Sequence, residues 1–469
     1  MNIFIKKFYL SVIFFFLFIM LSLSLFSQQL LNSKQCKQDI NSFFENIERT
    51  HPNLYYYTDK EIVENKKQYL LQAVDDKTFS VNDFNKLLAK NINSMFDYHT
   101  RIDNSIIFTT PNDNNLLLFP LKIKSKQHNF FVEDGRQLLS INSINMSNLF
   151  DDFCLYFGKD IHKASLEAFF CDYFAIFLYN EFGFNGSFNI VFKGSSQSIS
   201  IRGMNVDNFK TNEVPFLLEL YPKHNTAVIH LNSFMGSLMD EFKVFIDSSF
   251  NTILSQNIDN LIIDISYNYG GSDNFWDYLL QYLIKDDIRF VTSAMTTKVT
   301  KELKKKISKE NSRKEIRESA YLSSIYNAKE GLEINDFDIW TKDSIVNNVF
   351  TGNLLLLQGV RTSSAAESLS SIFKAYRFGL IVGKETSSNT VSYTNMVGFH
   401  MPNSNIYYGC ATHQFWNAGG IDDGNGIFPD VELDFCIEKN HISENQIELI
   451  IKGIEEKYPY FFKRSKHQP

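Results

Sequence analysis

Five cysteines in 469 residues, Cys36, Cys154, Cys171, Cys410 and Cys436, share no short paired spacing. That arrangement excludes the closely spaced ligand pairs of a structural metal centre, so no metal is expected. The chain also lacks a basic stripe, a zinc-finger spacing and the aromatic signature of an RNA-binding sheet, and its net charge of −7 is mild. A nucleic-acid partner is excluded on those grounds. No internal repeat is present. The 45 Phe and 22 Tyr are abundant but spread throughout, which reads as core composition and not as a binding cage.

What is present is length. A chain of 469 residues is too long for one compact core and implies two or three domains. At its start Lys6 and Lys7 precede an almost uninterrupted apolar stretch from Phe8 to Phe26. This reads as an export signal within residues 1–27, with Ser22, Ser24 and Ser27 favouring cleavage around Ser27 or Gln28; retention as a single membrane anchor is the alternative. Either way the remainder lies outside the cytoplasm, whether periplasmic, secreted or anchored. Cys36 is too far beyond the apolar stretch, and follows too polar a segment, to be a lipid-attachment site. An oxidising compartment permits disulfides, and Cys410 with Cys436 is one pairing within the last domain; the odd count leaves at least one thiol over.

Three patterns follow one another after residue 28. Residues 28–100 are helical, with Ile40, Phe43, Phe44 and Ile47 on one face, Phe84, Leu87, Leu88 and Ile92 on another, and Ser80 with Asp83 at capping-box spacing. Residues 101–212 turn to short strand-like runs (116–123, 129–132, 138–144) with a helix near 164–179, an α+β segment. Residues 213–440 alternate strands and helices: strands at 226–231, 261–265, 354–357 and 380–382, helices at 242–254, 273–284 and 365–377. Crossovers of that kind imply a largely parallel sheet. A Lys-, Glu- and Ser-rich stretch within 297–345 interrupts the rhythm and is expected as a solvated helical insertion or lid. Residues 441–469 form a C-terminal helix and tail.

The run TSSAAES, Thr362 to Ser368, lies between the buried strand VFTGNLLLLQGV and an amphipathic helix whose apolar face carries Leu369, Phe373 and Tyr376. A hydroxyl at Ser364 would open that helix, near unpaired backbone N–H groups that stabilise charge on a substrate oxygen. The same pattern serves a plain Ser helix cap. A nucleophilic serine needs a base, and His99, in the polar segment Met95 to Arg101 (MFDYHTR), is the candidate.

Three ordered segments together resemble the tail-specific (C-terminal processing) serine protease family, in particular its tricorn-like and interphotoreceptor-retinoid-binding-protein-like branch. Phe96-Asp97-Tyr98-His99-Thr100 resembles the family's L-x-D-G-H-T, departing at Tyr98. Leu261 to Gly271 (LIIDISYNYGG) is similar to a strand followed by D-x-R-x-N-x-G-G, with Ser266 in place of Arg. TSSAAES, with Arg377 and LIVGKET beyond it, resembles T-x-S-A-A-E and the strand ending V-G-E-x-T. The resemblance implies Ser364 as nucleophile, with Ser363 the adjacent alternative, and the N–H groups of Ala365 and of Gly270 or Gly271 as oxyanion hole. The family's lysine base would fall at Asn389, which excludes a Ser-Lys dyad there; Lys384 would be an unusual substitute. A Ser-His-acid relay is implied instead, the acid being Asp423 in DGNGIFPD, with Asp422 in competition. Asp97 and Glu367 read as structural.

The resemblance implies a multi-domain α/β protein: an N-terminal helical domain, a middle α+β segment that is PDZ-like at Gly135 to Ile144 or else a plain β-rich linker, and a C-terminal α/β catalytic domain of the ClpP/crotonase-like kind. It implies a serine-type peptidase acting on peptides or unfolded protein segments without any cofactor. The departures at Tyr98, Ser266, Asn389 and Asp423 keep open an inactive peptide- or lipophile-binding protein of the same fold, and an esterase is a third reading.

Overall fold

The computed structural model describes residues 30–462, apart from 112, 114, 196, 210–213, 286–287, 343–348 and 436. The expected export segment at 1–27 and Cys436 therefore lie outside the described residues; the other four cysteines are free thiols. Among the described residues no helix is long and apolar enough to cross a membrane.

Three helices open the chain: α1 (Ser33–Thr50), α2 (Lys60–Ala73) and α3 (Val81–Ile92). Asn32 starts α1 through a reciprocal capping box with Gln35, and the Ser80 hydroxyl accepts the Asp83 N–H at 3.1 Å to start α3. The expected apolar faces are inward: Ile40, Phe43, Ile47, Phe84, Leu88 and Ile92 are all fully buried. The middle segment holds α4 (Met146–Cys154), α5 (Lys163–Phe182) and an antiparallel four-stranded sheet in the order 144–145, 138–141, 187–192, 199–202. Leucines and phenylalanines from α1 to residue 192 form one continuous core, which also takes in Met401, Ile406, Tyr408 and Cys410 from the far end of the chain. The sequence boundary near residue 100 is thus a change of secondary structure within one packed unit. Apolar contact area, not periodicity, decides where a core ends.

The C-terminal part is built on six strands whose spatial order follows the chain: β1 (Phe216–Tyr221), β2 (Thr226–Leu231), β3 (Asn260–Asp264), β4 (Asn353–Gln358), β5 (Leu380–Gly383) and β6 (Val431–Glu432). The first pair is antiparallel and the rest are parallel, as the alternation of strands and helices requires. Every residue of β2 and β4 is buried, so both sheet faces are covered. Successive crossovers in one direction place α6 (Met239–Ser255), α7 (Asn274–Leu283) and α11 (Ala365–Tyr376) on one face, over Ile229, Leu261, Ile263, Leu354 and Leu356, as connections of a single hand require. The alternate residues Val228, Ile262, Leu355 and Leu357 meet α12 (Glu444–Lys457) on the other.

The charged insertion contains α8 (Lys301–Glu310), α9 (Arg313–Glu318) and α10 (Ala320–Asn327), carried between the long strands Arg289–Lys298 and Glu333–Thr341. Those strands extend into a second antiparallel sheet with 413–417 and 391–394. The helices keep Leu303, Ile307, Ile316 and Ile325 in a small core of their own with Val299 and Val397.

The aromatic middle core yields a stability prediction. Phe170 is fully buried among the rings of Phe130, Phe150, Phe153, Phe174 and Phe177. Phe170→Ala should lower stability by about 3–5 kcal/mol through the cavity it leaves, read as a shift in the denaturant midpoint.

Candidate active site

Two loops meet at the C-terminal ends of the neighbouring strands β3 and β4, the position at which parallel sheets present their chemistry. After Gln358 the chain turns sharply. The Thr362 hydroxyl accepts the Gly359 N–H and donates to the Ile265 carbonyl, both at 2.9 Å, and the Ser363 N–H donates to the Asn268 carbonyl at 3.1 Å. These bonds hold Ser364 at φ 53° and ψ −127°, a backbone region that non-glycine residues avoid. A capping serine is extended and its hydroxyl accepts an amide of the first turn. Ser364 does neither: its side chain makes no cap bond, and it is exposed while residues 365–373 behind it are all buried. Its hydroxyl is therefore presented outward at the positive end of α11.

The facing loop, Ser266 to Ser272, is shaped by Asn268. Its amide donates to the Leu231 carbonyl at 2.9 Å while its oxygen accepts the Gly270 N–H at 2.8 Å. Gly270, at φ +92°, lies so close that an added Cβ would stand 2.6 Å from the Ser364 Cβ and from the Ser363 carbonyl oxygen. Only glycine fits there. Of the two glycines left open by the sequence, Gly270 has its N–H engaged by Asn268. Neither Gly271 nor Ala365 has an intramolecular backbone acceptor for its N–H among the described residues. Gly271 itself rests against Phe234, whose N–H donates to the Gly270 carbonyl at 3.1 Å and whose carbonyl accepts the Ser272 N–H at 2.7 Å.

His99 sits in a tight loop fixed by buried carboxylates. Asp97 accepts the His51 Nε2 at 3.0 Å and the His99 N–H at 2.9 Å; Asp160 accepts the Tyr98 N–H at 2.8 Å. Burial alone would raise the Asp97 carboxyl, but the His51 hydrogen bond and the neighbouring imidazoles hold it below the usual range. Enclosure of the His99 ring pushes its pKa down, partly opposed by Asp97 and assisted by Arg101. Its Nδ1 is buried without a hydrogen-bond partner, and the ring's hydrogen bond is to the Tyr393 backbone, not to Ser364.

The expectation that Asp423 completes a relay with His99 is not met in this arrangement. Asp423 is exposed, its carboxylate accepts the Asn425 N–H of its own turn at 3.0 Å, and those hydrogen bonds keep its pKa low. A short side chain in a turn bonds nearby backbone. Asp422 accepts the Tyr56 hydroxyl instead. The carboxylate beside His99 is Asp97. Asn389, where the family resemblance puts a lysine, lies 3.0 Å from the Nε2 of His162.

Sequence reasoning missed the segment Gly158 to His162, which ties the two loops together. The Lys159 N–H donates to the Phe96 carbonyl at 2.8 Å, the His162 N–H to the Ser387 carbonyl at 2.9 Å, and the Ser387 N–H to the Thr362 carbonyl at 3.0 Å. An added Cβ on Gly158 would come 2.6 Å from the Asp97 carbonyl carbon. The dense polar run GKDIH just before α5 was the available signal. Glu367 completes the frame: it is buried and accepts the Thr386 hydroxyl at 2.7 Å and the Ser388 hydroxyl at 2.5 Å. Burial pushes both Glu367 and Asp160 up to about 8.

A strained, exposed serine at a strand-to-helix turn, packed against a glycine loop at the carboxyl edge of a parallel sheet, is the arrangement a serine nucleophile requires, and the family match assigns it to the serine-type peptidases. Residues 225–433 match the model of peptidase family S41, which supports the tail-specific serine protease family for that part of the chain. Among solved structures it is similar to mature CPAF, at 13% identity and a TM-score of 0.60, covering 92% of this chain and 98% of that one. It is similar to mature CPAF complexed with lactacystin at 13% identity and a TM-score of 0.59, covering 92% and 99%. The photosystem II D1 C-terminal processing protease aligns at 14% identity and a TM-score of 0.44, covering 85% and 93%. No curated protein matches the chain in sequence.

Two predictions rest on this geometry. Gly270→Ala should slow reaction of Ser364 with a fluorophosphonate by roughly 100-fold or more, because the new methyl displaces the serine from its glycine loop. Glu367 has a folded-state pKa raised from 4.5 to about 8, so its ionisation works against folding as the pH climbs between those values. The stability of Glu367→Gln relative to wild type should therefore rise across that window, as measured by urea denaturation at roughly pH 5, 7 and 9.

Proposed function

We propose that the chain is an exported peptidase of the tricorn-like branch in which Ser364 attacks a peptide carbonyl and His99 accepts its proton. The observation that carries this reading is the backbone of Ser364, held outside its preferred region with the hydroxyl free and a glycine against its Cβ. His99 would return the proton to the leaving amine, and the N–H groups of Gly271 and Ala365 would receive the oxyanion. Asp97 takes the supporting role expected of Asp423: it fixes the His99 backbone and favours the imidazolium by charge. Export rests on Lys6, Lys7 and the apolar run to Phe26. The hairpin formed by Leu138–Ile141 and Ile144–Asn145, following Gly135, supports reading the middle segment as PDZ-like.

The unbonded His99 Nδ1 favours a second reading, a peptide-binding protein that has kept the fold without turnover. Fluorophosphonate labelling of the purified chain separates them. In the peptidase, Ser364 carries the label, Ser364→Ala and His99→Ala abolish it, and Asp423→Asn leaves its rate unchanged. Because enclosure lowers the His99 pKa, the labelling rate should climb through a midpoint below the ordinary value of about 6.5 and be level at neutral pH. A folded wild-type chain that takes no label fits the binding protein.

A further inference from the structure

A fully buried histidine that takes no part in this chemistry lies behind the glycine loop. His230 of β2 places Nδ1 at 2.7 Å from the Asp264 Oδ2 and Nε2 at 3.0 Å from the Glu219 Oε2. Ionised carboxylate oxygens only accept, so both ring nitrogens must donate and the ring is an imidazolium. Burial disfavours that charge, but the hydrogen bonds and charges of Asp264 and Glu219 outweigh it and hold the His230 pKa up, while Glu219 is held low. The groups around the ring come from three elements: Asp264 of β3, Glu219 and Tyr221 of β1, and His441, whose Nδ1 is 3.9 Å from the Glu219 Oε1.

Asp264 faces two ways. Its second oxygen, Oδ1, accepts the Ser266 N–H at 2.9 Å, the first amide of the loop that carries Asn268, Gly270 and Gly271. We propose that His230 is a positioning residue: as an imidazolium clamped between Asp264 and Glu219, it fixes the Asp264 carboxylate and through it the start of the oxyanion loop. Loss of either ring proton leaves a nitrogen lone pair against one of the two carboxylates, the clamp between them opens, and the Ser266 end of the loop loosens. The consequence for rate rests on the peptidase reading above; the effect on the loop does not.

Hydrogen exchange of the full chain, followed by mass spectrometry over residues 264–272 across pH, tests the loop directly. Wild type should be protected at neutral pH and should lose protection, beyond the intrinsic rise in exchange, as the pH climbs through the raised His230 ionisation. His230→Asn should be unprotected throughout. Glu219→Gln, which leaves the ring one carboxylate partner, should move the loss to lower pH and decides the matter if His230→Asn does not fold. Unchanged exchange in the folded variants at every pH would overturn the proposal. Fluorophosphonate labelling of the same samples reads the chemistry: a loosened loop should slow labelling at Ser364 by roughly 100-fold, the cost of one oxyanion donor. A loop that responds in a chain that never labels would sink the peptidase reading and leave the assignment of His230 intact.

Discussion

The short segment Gly158 to His162 holds the two halves of the site against one another. His99 belongs to the core built by the N-terminal helices, and Ser364 belongs to the parallel sheet; neither loop bonds directly to the other. The backbone of residues 158–162 takes the Phe96 carbonyl on one side and the Ser387 carbonyl on the other, and Ser387 passes the constraint to Thr362. Buried backbone groups must be paired, so a shift of either loop would strand several amides at once. A second clamp acts from α5: Asp172 forms a two-point ion pair with Arg361 at 2.6 and 2.7 Å and accepts the Tyr269 hydroxyl at 2.8 Å. One carboxylate thus touches both the serine turn and the glycine loop.

The electrostatics of this junction follow from burial. Asp97, Asp160 and Glu367 are all within the interior, and three buried carboxylates cannot all be charged cheaply. The structure separates them by partner. Asp97, with His51 and His99 beside it, is the ionised one; Asp160, which burial and the Asp97 charge raise more than Arg101 and two backbone amides lower it, and Glu367, whose partners are hydroxyls, are pushed up to about 8. Among these three carboxylates the negative charge therefore sits at Asp97, beside His99, and not at Glu367 in the first turn of α11; on the reading proposed above an imidazolium would form at the one and an oxyanion near the other. That division is what a general base and an oxyanion hole require of a shared interior.

Much of this was legible in the chain. The parallel sheet was visible because fully buried strands read as unbroken apolar runs, as at Leu354 to Leu357, separated by helices of clear period. The serine turn and glycine loop were visible because close backbone approach demands small residues at fixed spacing, here Gly270 and Gly271. What was not legible was long-range pairing. The division at residue 100 dissolved because Tyr408 and Cys410 return to pack with Phe43 and Ile47, a contact no local pattern reports. Asp423 sat at the right place in a motif, yet a side chain's orientation depends on which amide it meets first, and Asn425 is only two residues away. Asp160 and His162 lacked any motif, since their role is to bond backbone that other segments provide.

The conformation of Ser364 bears on whether the fold is kept for chemistry. A non-glycine residue at positive φ in this region costs on the order of 1–3 kcal/mol and persists only when its surroundings over-determine it. Here they do: the polar groups of residues 359–363 are tied to Ile265, Asn268 and Thr362 before the chain reaches the serine, so the strain is imposed by the sheet and not by the serine's own bonds. A binding surface needs no such arrangement, because an extended, capping serine at the same turn would start α11 at no backbone cost. Retaining the strain while leaving the hydroxyl uncapped is intelligible if that oxygen must leave the helix and meet a carbonyl, and the Ser364 backbone therefore favours turnover over binding for this chain.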